Sequence, residues 1–147
     1  MSNDLEQLAR RVEEATGPDR ELDAEIEAAL HGGRASHTFT DDDAASRLRR
    51  SYSAGTVFDH ADPMTNGGNV LNSMVRRVPD VTGSIDAAMA LVPEGLEMEL
   101  TNLYGVARAV VGLNLNQGPF FGSNECGNIA SAVAAAALRA HAARNGQ

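Results

Sequence analysis

The segment from Ile129 to Arg144 is so rich in alanine, with Val133 and Leu138 among them, that helix is the one regular structure it favours strongly. Asn128 stands where a capping side chain belongs. The small side chains give this helix a surface that another element can approach closely, either within the chain or from a second copy. Upstream, Leu96, Met98 and Leu100 alternate with Glu97, Glu99 and Thr101, the period of a half-buried strand. Tyr104-Gly105 marks a turn, and Val106 to Leu115 supplies a returning strand. Before this hairpin, Thr82-Gly83-Ser84 caps a helix that should bury Ile85, Ala88, Met89 and Val92, and Pro93-Glu94-Gly95 ends it. Residues 81–147 therefore read as a helix–hairpin–helix core. A lone hairpin is marginally stable, so a third strand is expected from the 51–60 region or from another subunit.

Toward the N-terminus the pattern changes to helical stripes. Leu5, Leu8, Val12 and Ala15 recur at spacings of three and four. Thr16-Gly17-Pro18-Asp19 breaks that helix and starts another, with Leu22, Ile26 and Leu30 on one face and Gly32-Gly33 at its end. Nine acids and three arginines occupy the first thirty residues, so residues 1–33 form an acidic helical pair. Residues 34–80 read as an elaboration. Thr40-Asp41-Asp42-Asp43 opens a short polar helix reaching about Arg50, and Ser51–Asn69 is mostly loop with a strand at Gly55–Phe58. Val70, Leu71, Met74, Val75 and Val78 return to helical spacing until Pro79. At 147 residues the whole is one compact domain. Its fold class is α+β, a small antiparallel sheet or hairpin sandwiched between helices, with an N-terminal helical pair.

Charge narrows the function. All twelve basic residues are arginine, against twenty acids, for a formal net charge of -8. Such a chain is repelled by a phosphate backbone, which argues against polymeric nucleic acid as a partner. No apolar run reaches the ~18–20 residues that span a bilayer, and no signal peptide is visible, so no membrane partner is expected. With Cys126 as its one cysteine, the chain is expected in a reducing cytoplasm.

Enzyme signatures are missing: no Gly-x-Ser-x-Gly elbow, no phosphate-loop lysine, no His-Glu-x-x-His and no Cys-x-x-Cys. The expectation is a non-enzymatic protein without cofactor or metal. Asp59-His60-Ala61-Asp62, with His31 or His37, has metal-ligand residue types but no established spacing, and polar loop residues explain it better. Cys126 precedes a helix start, which favours a thiolate, yet has no histidine base nearby. Asp41–Asp43 reads as a solvated helix start.

Features that suit a small phosphorylated ligand are more numerous. Residues 118–128 form a glycine- and asparagine-rich loop leading into the closing helix, so Ser123, Asn124, Asn128 and backbone N–H groups can converge on an anion while Phe120 or Phe121 stacks on a base. Arg49, Arg50, Arg76 and Arg77 sit in a charge-balanced middle segment, where guanidinium forks hold phosphate bidentately. The competing readings are a hairpin exit with Asn128 as a plain cap, and surface salt bridges to the acidic helices.

Three blocks of the chain resemble a known family. Ala15-Thr16-Gly17-Pro18-Asp19-Arg20-Glu21-Leu22-Asp23-Ala24-Glu25-Ile26, Ser84-Ile85-Asp86-Ala87-Ala88-Met89-Ala90-Leu91-Val92-Pro93-Glu94-Gly95 and Ala135-Ala136-Ala137-Leu138-Arg139-Ala140 are similar to small proteins of phages and prophages of high-GC bacteria that carry a phage α-β-α (ABA) sandwich domain. Leu96 stands where an aromatic commonly follows Pro-Glu-Gly. The resemblance implies helix–sheet–helix layering and offers no catalytic residues to carry over. It also implies an accessory or counter-defence role, one form of which is a homo-oligomeric sponge for a cyclic-nucleotide or ADP-ribose-type immune signal in the host bacterial cytoplasm. The alternative expectation is an acidic interaction or inhibitor protein that docks a basic host or virion partner.

Overall fold

The computed structural model describes residues 2–38, 55–59, 75–112 and 119–145. The expected helix at 40–50, Arg49 and Arg50, His60 and Asp62, and the residues from 60 to 74 lie outside them. The fold is α+β, with helices and small antiparallel sheets. Its contacts group into two units, Met1–Asp19 with Asp80–Gln147, and Arg20–Pro79. The two consecutive N-terminal helices are thus divided between the units.

In the first unit, α1 (Ser2–Glu14) buries Leu5, Leu8, Ala9 and Val12 against the C-terminal helix α4 (Ile129–Asn145). Each large aliphatic side chain so buried contributes roughly 1.5–3 kcal/mol. Every residue of α4 from Ala130 to Leu138 is buried, between α1, α3 (Ile85–Met89) and the sheet. The alanine face is therefore covered from within this unit and is not open to a second copy. Asn128 caps the helix as expected, its Oδ1 accepting from the Ser131 amide at 3.2 Å.

The sheet has the order β4–β5–β6, comprising Glu97–Leu103, Val106–Gly112 and Phe120–Asn124. Strands β4 and β5 join through Tyr104 (φ 56°) and Gly105 (φ 78°), two left-handed residues that define a type I′ turn matched to the twist of the strands. Along β5, Ala107, Ala109 and Val111 are buried beneath α4, while Arg108 and Val110 point to the opposite face.

Four expectations change here. The third strand is Phe120–Asn124, within the expected loop, rather than a segment near 51–60. Gly122, part of that expected glycine-rich loop, is a strand glycine lying against the α4 backbone. Strand β4 is less buried than its alternation suggests, because it forms the edge of the sheet and α4 barely reaches it. Finally, α3 is five residues long, so only Ala88 is enclosed while Ile85 and Met89 are exposed. Its cap is the expected one, with Ser84 Oγ accepting from the Ala87 amide at 3.3 Å.

In the second unit, α2 (Arg20–His31) lies on a three-stranded antiparallel sheet of β1 (Arg34–Ala35), β2 (Thr56–Phe58) and β3 (Val75–Arg77). Helix α2 stops at Gly32: its N–H still makes the helical bond to the Ala28 carbonyl at 2.9 Å, and its φ of 88° turns the chain that follows off the helix. The strand expected at 55–58 is present. The helix expected around Val75 is not: Val75, Arg76 and Arg77 pair with Phe58, Val57 and Thr56. A short apolar run does not separate the two periods, and backbone pairing to β2 decides in favour of strand. Ala24, Ala35, Val57 and Val78 form the core of this unit.

Candidate functional site

The densest polar constellation in the first unit is centred on Arg139, which interrupts the alanine run of α4. Its Nη1 and Nη2 grip the Glu13 carboxylate bidentately at 2.7 and 2.8 Å, and its Nε reaches Glu6 at 3.1 Å. The same Nη1 donates to the Phe121 carbonyl at 2.7 Å, and Glu13 Oε2 accepts from the Ser123 amide at 3.0 Å. Phe121 and Ser123 turn these backbone groups away from β5. The ion pair therefore occupies the outer edge of β6, saturating groups that would otherwise template another strand.

The electrostatics agree with this geometry. Burial alone would raise the Glu13 carboxyl, but hydrogen bonding and charge from Arg139, joined by the bonds from Ser123, outweigh it and leave its pKa below the ordinary value. The Arg139 guanidinium is raised further above its already high range, chiefly by its hydrogen bonds to Glu13, against the opposing effect of burial.

Two clefts flank Glu13 and Ser123. One, of about 500 Å³, is lined by Arg10, Glu13, Glu14, Ser123, Glu125 and Cys126, so carboxylates dominate it. The other, of about 490 Å³, runs over the outer face of the sheet past Thr101, Arg108, Val110 and Phe121. That face carries exposed apolar surface: Phe121 is 59% and Leu103 64% accessible, and Tyr104 at the hairpin tip is 95% accessible.

The residues expected to hold an anion are placed differently from one another. Arg76 and Arg77 belong to the second unit, whereas Phe120, Phe121, Ser123, Asn124 and Asn128 belong to the first. Arg76 bonds to Asp59 and to the Gly32 carbonyl and lies 3.6 Å from Glu27, the salt-bridging arrangement weighed above. Arg77 is exposed at the end of β3. Phe120 is half-buried and Phe121 exposed, on opposite faces of β6. Ser123 is engaged by Glu13, a carboxylate of the chain itself.

Asn124 is fully buried, and its amide group donates toward the carbonyls of Val12, Glu13 and Ala15 at 3.4, 3.2 and 2.9 Å. Those carbonyls lie at and just beyond the end of α1, where helical partners run out, and Val12 accepts in addition from the Ala15 amide at 3.2 Å. Its Oδ1 accepts from the amides of Cys126 and Asn128 at 3.0 and 3.2 Å. Asn128 in turn donates to the Thr82 carbonyl at 2.7 Å. Asn124 thus finishes one helix and shapes the turn into another. Asn124→Ala should cost roughly 2–3 kcal/mol and lower the melting temperature by about 5–10 °C. An unchanged melting curve would show that these bonds do not hold the turn.

Among the described residues, no group of three or more His, Cys, Asp and Glu side chains could hold a metal ion. His31 and His37 each face a carboxylate of α2, Glu27 at 3.9 Å and Glu25 at 3.3 Å, and Asp59 is taken by Arg76. Cys126 is an exposed thiol at the turn after β6. No helix of the described residues is long and apolar enough to cross a membrane.

Sequence reading missed Glu13, Arg139 and Arg108. Arg139 had a signal, as a lone charge inside an apolar helix. Glu13 had none among nine acids in its neighbourhood. No family model, curated protein or solved structure matches the chain.

Proposed function

We propose that the chain is a non-enzymatic interaction protein that docks a protein partner on the outer face of the β4–β5–β6 sheet. One observation carries the reading: exposed Leu103, Tyr104 and Phe121 occur on the same small sheet as a cleft dominated by Glu13, Glu14 and Glu125. Accessible aromatics supply the buried centre of an interface, and the carboxylates select a partner that offers arginine or lysine at its rim. This is the acidic-inhibitor expectation, with the acidic end of α1 contributing and the sheet added. A phage or prophage origin would make the partner a host or virion protein.

The small-anion reading draws on fewer groups, because Ser123, Asn124, Asn128 and Arg76 spend their polar atoms on internal bonds. Among the described residues, Arg108 beside exposed Phe121 in the second cleft supports it.

The test pairs two measurements on the full chain. Immobilised wild type and a Tyr104→Ser/Phe121→Ser double variant are exposed to lysate of the cell that encodes or hosts the protein. A stoichiometric partner held by the wild type should lose about thirtyfold or more in affinity with the variant, as removal of interface aromatics does. In parallel, cyclic nucleotides and cyclic ADP-ribose isomers are expected to leave the melting temperature unchanged. A clear rise with any of them would overturn the proposal in favour of ligand sequestration, since tight binding to the native state must stabilise it.

A further inference from the structure

The two edges of the β4–β5–β6 sheet are finished in different ways. The β6 edge is closed by Glu13 and Arg139, which bond its outward amide and carbonyl. On the β4 edge, among the described residues, no strand pairs with it. Strand β4 is seven residues long, contains neither proline nor lysine, and presents half-buried Met98 and exposed Leu100 and Leu103. Edges of that length and composition are ordinarily blunted.

The hairpin dictates which groups this edge offers. A type I′ turn at Tyr104-Gly105 makes Leu103 and Val106 a pair that exchanges backbone hydrogen bonds. Alternation then directs the backbone groups of Glu97, Glu99, Thr101 and Leu103 toward β5, and those of Met98, Leu100 and Asn102 outward.

The geometry points to a second copy of this chain as the occupant of the β4 edge, with the two β4 strands antiparallel about a two-fold axis at Leu100. In this register Leu100 pairs with Leu100 of the second copy and Met98 with its Asn102, so all the outward groups of both strands are used. Glu99 faces Thr101 and Glu97 faces Leu103, whereas centring the axis on Met98 or Glu99 would set glutamates directly opposite one another. Charge complementarity adds to this. Arg108 lies beside Thr101 on the outer face and makes no ion pair among the described residues. Extended over the small Thr101 side chain, it reaches toward Glu99 of the second copy. The product is a continuous six-stranded sheet, closed at both ends by a Glu13–Arg139 pair. The inference is independent of the partner-docking proposal, since it concerns the edge of the sheet and not its outer face.

Sedimentation velocity of the full chain over a concentration series tests it. The wild type should shift from monomer to twice the monomer mass, and Leu100→Lys, which places two ammonium groups at the axis, should remain monomeric with an unchanged circular dichroism spectrum. A second experiment reads the register. In a Cys126→Ser background, Glu99→Cys/Thr101→Cys should give a disulfide-linked dimer under mild oxidation, and Glu97→Cys/Glu99→Cys should not. A wild type that stays monomeric, or a dimer that Leu100→Lys leaves intact, overturns the inference. Should Leu100→Lys fail to fold, the cysteine pair decides: linkage by Glu99→Cys/Thr101→Cys alone supports the register, and its absence, or equal linkage by both pairs, overturns it.

Discussion

Gly122→Ala is expected to destabilise the chain by more than about 3 kcal/mol, seen as a loss of about 10 °C or more in melting temperature. A methyl group at position 122 would strike the Ala132 carbonyl and come to 2.6 Å from the Ala136 amide nitrogen. Both are main-chain atoms of α4, so no side chain can rotate away to relieve the clash. Relief would require either the helix to lift from the sheet, uncovering Ala107, Ala109 and Val111, or β6 to part from β5. The close approach also explains the alanine composition of α4: larger side chains at 132 and 136 would force the same separation. Gly17→Ala is the control, because nothing lies within 4 Å of that position and its φ is not positive. It should be neutral or stabilise by about 0.4–1 kcal/mol. If the two variants melt within a degree of each other, the helix and strand are not held at the distance described.

Gly122 also shows where sequence reading reaches its limit. Segments governed by local chemistry were legible: the stripe of α1, the Ser84 and Asn128 caps, the Gly32 stop, the Tyr104-Gly105 turn and the β5 strand all rest on interactions within a few residues of each other. Phe120–Asn124 was not, because its identity as a strand depends on pairing with Val111 to Ala107 and on a glycine whose purpose is set by a helix ten residues away. Val75–Arg77 failed for a related reason, since three residues carry too little periodicity to compete with a partner strand at Thr56–Phe58. The candidate site follows the same division. Asn124 and Asn128 were recognised as important polar positions, but their bonds to the Val12–Ala15 and Thr82 carbonyls span long stretches of sequence. Pattern alone cannot distinguish an asparagine that binds a ligand from one that satisfies a distant helix end. Glu13 and Arg139 meet across 126 residues, so neither predicts the other.

That long-range pair should make stability depend on pH in a defined direction. Arg139→Met removes the partner of a carboxylate whose side chain is only 21% accessible. The cost should be about 2–3 kcal/mol, below the ~3–5 kcal/mol of a fully buried broken pair because water still reaches both groups. Glu13 has a lowered pKa in the folded chain, so its ionised form is the one that folding favours. Its contribution is therefore complete above the ordinary glutamate value of 4.5 and is lost as the pH falls through the lower folded value. Arg139 stays charged throughout. The urea midpoint of the wild type should fall more steeply below pH 5 than that of Glu13→Gln, and the two curves should converge in acid. Parallel curves would mean that Glu13 gains nothing from its arginine. Because the same carboxylate covers the Ser123 amide, acid should also uncover the β6 edge. Light scattering at pH 3 to 4 should then rise in the wild type, and at neutral pH in Arg139→Met, since either change leaves a sheet edge unguarded.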